Sequence, residues 1–111
     1  MSKALLEKLL RSRESGVVVD GHTFTIRRPT DEDALTLQGS GPLDFVKRFV
    51  VGWDLTELDI IPGGGPERVP FSTELWSAYV SDHPELWEPL ATPIVEAYRT
   101  HAVGREDAEK N

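Results

Sequence analysis

Two short β-branched or aromatic runs, Val17-Val18-Val19 and Thr23-Phe24-Thr25-Ile26, flank the dipeptide Asp20-Gly21. Asp-Gly suits the positive φ angles of a tight hairpin turn, so about residues 17–27 are predicted to form an antiparallel β-hairpin. Alternation puts Val17, Val19, Phe24 and Ile26 on the candidate buried face. A lone hairpin is marginal in water, so this one must pack on helices or pair with another edge. The chain has no cysteine, so neither a disulfide nor a thiolate metal site can support it. Packing must do so, and the three Trp, four Phe and two Tyr are the largest resource for it.

The flanking segments read as helices. Residues 2–13 carry Leu5, Leu6, Leu9 and Leu10 in one apolar stripe, with Ser2 as a cap and Lys8, Arg11 and Arg13 towards the C-terminal end. A helix this short is marginal alone, so its leucines need cover from the domain's own core, a neighbouring subunit or a partner. Ser12 to Gly16 looks like a flexible connection to the hairpin. Pro29 stops the second strand, and Thr30-Asp31-Glu32-Asp33 opens a short helix. A helix over about 43–51 presents Leu43, Phe45, Val46, Phe49 and Val50, and Gly52 breaks it. Residues 59–70, with three glycines and three prolines, form an irregular loop. Phe71 and Ser72 staple and cap a helix over 73–81 that buries Leu75, Trp76, Tyr79 and Val80. Asp82-His83-Pro84 starts the last helix, about 85–103, with Leu86, Leu90, Ile94 and Tyr98 at helical spacing. Pro93 is expected to kink or split it. The fold class is mainly α: one small helical domain over residues 1–103 with a single N-terminal hairpin, then a polar tail at 104–111. Trp53 and Trp76 are both expected to be mostly buried.

Charge narrows the partners. Residues 1–28 hold six Lys or Arg against three Asp or Glu, a balance of +3, whereas residues 29–111 hold six against sixteen, a balance of −10. Most of this surface would repel phosphate, so a nucleic acid is not an expected partner. No apolar run has the ~18 residues that a membrane span needs, and the N-terminal stretch lacks the form of a signal peptide. No membrane partner is expected, and the expected location is cytoplasmic.

Catalytic constellations do not assemble in the sequence. His22, His83 and His101 share no ligand spacing, and no metal site is expected. Gly63-Gly64-Gly65 lacks the Gly-Lys-Ser ending and the strand-to-helix setting of a phosphate loop, so it reads as a flexible loop. Ser72, Ser77 and Ser81 lack the setting of a nucleophile, and the carboxylate pairs at 31–33 and 54–59 read as helix caps. Neither an enzyme activity nor a cofactor is expected.

Several segments, taken in order, carry a family likeness. They are Phe24-Thr25-Ile26-Arg27-Arg28-Pro29-Thr30, Val50-Val51-Gly52-Trp53-Asp54-Leu55, the glycine-rich loop, Val69-Pro70-Phe71-Ser72, and Asp82-His83-Pro84-Glu85-Leu86-Trp87. Over about residues 17–103 the chain resembles the small tail assembly chaperones of long-tailed bacteriophages. That resemblance implies a protein made in the infected bacterial cell that binds the tape measure protein and keeps it soluble before the tail tube polymerises. It implies absence from the mature virion and, for many members, a longer frameshifted form. The tail tube protein and a second copy of the chain are further candidate partners. Leu5, Leu6, Leu9 and Leu10 are the candidate partner-binding residues. Two alternatives stay open: a small acidic inhibitor or adaptor acting on a host protein, and a minor structural component of the tail.

Overall fold

The computed structural model describes residues 2–110. Met1, and Asn111 at the end of the segment read as a polar tail, lie outside the described residues. The elements run α1 (Ser2–Ser12), β1 (Glu14–Val19), β2 (His22–Arg27), α2 (Asp31–Thr36), α3 (Pro42–Phe49), β3 (Val50–Trp53), α4 (Glu57–Ile60), α5 (Thr73–Ser81), a 3-10 turn (Pro84–Leu86) and α6 (Trp87–Lys110). The domain is mostly helical, with a three-stranded antiparallel sheet in the order β1-β2-β3.

The hairpin forms where Asp20-Gly21 demands it: φ is 51° at Asp20 and 80° at Gly21, both in the left-handed region that a tight primed turn uses. Its strands pair from Val19 with His22 back to Glu14 with Arg27, so it begins three residues earlier than the β-branched run suggests. The apparent flexible connection is therefore taken up: Ser12 closes α1, only Arg13 intervenes, and Ser15 and Gly16 lie within β1. Ser2 stands inside α1 rather than ahead of it. Phe24 and Ile26 are fully buried, Val17 and Val19 pack half-buried against the core, and Val18 points to solvent.

The sheet gains a third strand that the helix assigned to 43–51 had absorbed. That helix ends at Phe49, and Val50 turns extended (φ −87°, ψ 123°) while its N–H still donates to Val46 O. Val50 and Val51 are β-branched and stiff in χ1, which favours the strand once an edge is available. β2 supplies that edge, pairing Phe24 with Trp53, Thr25 with Gly52 and Ile26 with Val50, so Val51 is the extra residue of a bulge. Gly52 leaves room for the close approach of Thr25, whose Oγ1 a Cβ would meet at 3.0 Å.

One face of this sheet packs with α3, α5 and α6 around Phe24, Ile26, Val46, Phe49, Leu55, Trp76, Val80, Leu90 and Ile94. Trp76 is fully enclosed, with ring centroids 5.6 Å from Phe24 and 6.1 Å from Trp53, and its indole N–H donates to Val46 O at 2.8 Å. Trp53 is mostly buried, as expected, packing against Phe71 and Trp76, though its place on the edge strand β3 leaves it partly exposed; its N–H donates to Val69 O at 2.7 Å.

Helix starts follow local chemistry. Thr30 with Asp33, and Thr56 with Asp59, each form a reciprocal capping box, and the Ser72 hydroxyl accepts from Leu75 N. Asp82 caps the end of α5 rather than the start of the next helix, a place that His83 takes with no side-chain cap bond. α6 is not split at Pro93, and it continues through the segment read as a polar tail to Lys110. The irregular loop is held rather than slack. Glu57 N bonds Glu67 O at 3.0 Å, Leu58 N bonds Gly65 O at 3.0 Å, and Gly65 N bonds the Glu57 carboxylate at 3.1 Å.

Candidate functional site

α1 is amphipathic by sequence, and its Leu5, Leu6, Leu9 and Leu10 fall within an arc of about 140° at 3.6 residues per turn. None of its residues is buried. Leu5 is 69% exposed, Leu6 54% and Leu9 49%, while Leu10, next to the body, is half-buried. The domain's own core therefore leaves three of the four candidate partner-binding residues uncovered, and the fourth partly covered. The helix is held at its base, where Arg28 N donates to Arg13 O at 2.7 Å beside the Glu14–Arg27 pair. The radius of gyration is 15.7 Å, against about 13 Å for a compact chain of this length, so the molecule is elongated.

A second apolar surface was not legible in the sequence. Two adjoining hollows, of 290 Å³ and 230 Å³, share Phe45 and Val95 and run between α2, α3 and α6. Pro29, Ala34, Leu37, Gln38 and Tyr98 complete one, and Ser40, Pro42, Glu88, Ala91, Thr92, Glu96 and Arg99 the other. The signal that could have found it is Val95, one position off the Leu86-Leu90-Ile94-Tyr98 stripe, which widens the apolar face of α6 towards Phe45. Polar contacts brace this groove. Asp31 on α2 accepts from the Tyr98 hydroxyl at 2.9 Å and from Arg105, both on α6, and Arg48 on α3 reaches Asp33 at 2.8 Å. The hydrogen bonds from Arg105 and then Tyr98 hold the Asp31 carboxyl below its ordinary range, and the bond to Asp31 pushes the Tyr98 phenol up.

The histidines stand apart from one another in structural settings. His22 lies between Asp54 (3.2 Å) and Asp59 (3.5 Å), tying the hairpin turn to the start of α4. His83 stacks on Tyr79 with centroids 4.0 Å apart, and His101 lies 3.8 Å from Asp31. Among the described residues, no three His, Asp or Glu side chains converge as a metal set, and no helix is long and apolar enough to cross a membrane. Gly64 presses on Glu57, where a Cβ would come within 2.6 Å of the backbone, so this one glycine of the three serves close packing on α4, while Gly63 takes a positive φ of 82°. Four of the acids have structural partners: Asp33 and Asp59 complete capping boxes, Asp54 holds Thr23 N and His22, and Asp31 binds α6. No protein-family model, curated protein or solved structure matches the chain.

Proposed function

We propose that this protein is a tail assembly chaperone of the phage type, which uses the leucine face of α1 to hold an apolar helical client, the tape measure protein, in solution before a tube polymerises around it. The observation that carries the reading is the exposure of Leu5, Leu6 and Leu9 on a helix that buries nothing. An uncovered stripe of this kind is the complement of an amphipathic client helix, and such helices pair through anchors at i, i+3, i+4 and i+7. The excess acid of residues 29–111 would keep the complex soluble while the client's apolar length is masked. The choice of a phage-tail client rests on the resemblance carried by the ordered motifs from Phe24 to Trp87. The adaptor alternative calls for a contiguous acidic face, from which the engagement of Asp31, Asp33, Asp54 and Asp59 in caps and ion pairs subtracts four carboxylates.

The test is to look among the neighbouring reading frames for a very long helical protein, the expected tape measure protein, and co-express it with this chain. The wild-type chain should move that protein from the insoluble to the soluble fraction, and Leu6→Ser with Leu9→Ser should abolish the rescue while leaving the fold intact. Undiminished rescue by the double variant would remove α1 from the function. Recovery of the chain from finished tails would favour the structural-component alternative instead.

A further inference from the structure

From the pairing of two surfaces on one chain, we propose that the free protein is a twofold dimer in which α1 of each copy lies in the groove between α2, α3 and α6 of the other. An 11-residue helix with no buried residue does not persist alone in water, so its stripe must be covered when no client is present. The groove offers what that stripe needs: an apolar floor of Leu37, Phe45 and Val95, open along the side of α6. Charge selects the occupant. α1 carries Lys3, Lys8 and Arg11 against Glu7, a net +2. The groove has Glu88 and Glu96 on its wall against one lining cation among the described residues, Arg99, bridged to Glu96 at 3.1 Å; beside it α2 opens on Asp31, Glu32 and Asp33, of which Asp31 pairs with Arg105 and Asp33 with Arg48. A basic, leucine-faced helix is its complement, and α1 is such a helix with its leucines exposed.

The copy that supplies α1 is the neighbour. No residue of α1 lines either hollow, and a single residue, Arg13, separates α1 from β1. Its carbonyl is held by Arg28 N, and Glu14 is already paired with Arg27, so swinging α1 into its own groove would break the first rung of the hairpin. Exchange between two copies satisfies both surfaces twice and closes on itself, as an isologous interface does. The consequence for the client rests on the function proposed above: a client that takes the leucine face must displace a second copy, so client loading and dimerisation compete. The dimer itself does not depend on that reading.

Sedimentation of the full chain across micromolar concentrations tests this with two double variants, both at exposed positions. Leu6→Ser with Leu9→Ser removes the stripe, and Gln38→Lys with Thr92→Lys places two cations in the groove. The wild-type chain should be dimeric, and each double variant should self-associate at least about tenfold more weakly with unchanged circular dichroism. An equimolar mixture of the two should form a mixed dimer, because one copy keeps a native groove and the other a native α1. A monomeric wild-type chain, a dimer indifferent to the groove lysines, or a mixture that stays monomeric would each overturn the proposal. If the wild-type chain is monomeric yet Leu6→Ser with Leu9→Ser loses client rescue, the exchange falls and the chaperone reading stands. If the dimer behaves as expected and the wild-type chain rescues no client, the exchange stands and the chaperone reading falls.

Discussion

Replacing Trp76 by alanine removes the side chain at the centre of the core, where it is fully buried against Phe24, Trp53, Phe71 and Tyr79. A tryptophan buries ~150–250 Å², which at about 25 cal/mol per Å² is worth roughly 4–6 kcal/mol as an upper figure. Measured truncations of this kind cost about 3–5 kcal/mol, and that is the expected loss. Phenylalanine separates packing from hydrogen bonding. It keeps a ring but loses the indole N–H that donates to Val46 O at 2.8 Å. That carbonyl also accepts from Val50 N–H, so it is not left unsatisfied. The penalty is then one net hydrogen bond, about 0.5–1.5 kcal/mol, plus a small cavity, for roughly 1.5–3 kcal/mol in total. Urea unfolding followed by far-ultraviolet circular dichroism measures both against a domain stability of about 5–15 kcal/mol. A loss below about 1 kcal/mol for Trp76→Ala would refute the buried-core assignment. Equal losses for alanine and phenylalanine would refute the claim that ring packing outweighs the hydrogen bond.

Two smaller perturbations follow from the loop and the caps. Gly64→Ala should cost about 1–3 kcal/mol, since its Cβ would meet the Glu57 backbone at 2.6 Å, whereas Gly65→Ala, with open space around it, should be nearly neutral; equal effects in thermal unfolding would show that the contact with α4 does not form. Hydrogen bonds from the Thr56 backbone and side chain hold the Asp59 carboxyl below its ordinary value of 3.8. A depressed folded value means that its contribution is complete above 3.8 and is lost as pH falls through the lower folded value. Asp59→Asn should therefore flatten the acid limb of stability against pH below 3.8 and leave the shape of the profile near neutrality unchanged; an unaltered acid limb would contradict the assignment.

Interactions within a few residues were legible without the fold, because the chain carries both partners close together. Asp20-Gly21 dictates the hairpin turn, Thr30 and Ser72 cap their helices, alternation selects Phe24 and Ile26 for the core, and helical spacing marks the leucine stripe of α1. Contacts between distant segments were decided by tertiary structure. Val50 to Trp53 becomes a strand only because β2, more than twenty residues earlier, offers an open edge; without that edge, Val50 reads as one more apolar residue of α3. The same edge position leaves Trp53 mostly buried, as its apolar neighbours suggested, yet less enclosed than Trp76. The groove joins Leu37, Phe45 and Val95 from three helices, and no local pattern spans them. For α1 the division is sharpest. Periodicity shows that Leu5, Leu6, Leu9 and Leu10 share a face, but whether that face is covered depends on where the rest of the chain stands, and the core closes around Trp76 without it.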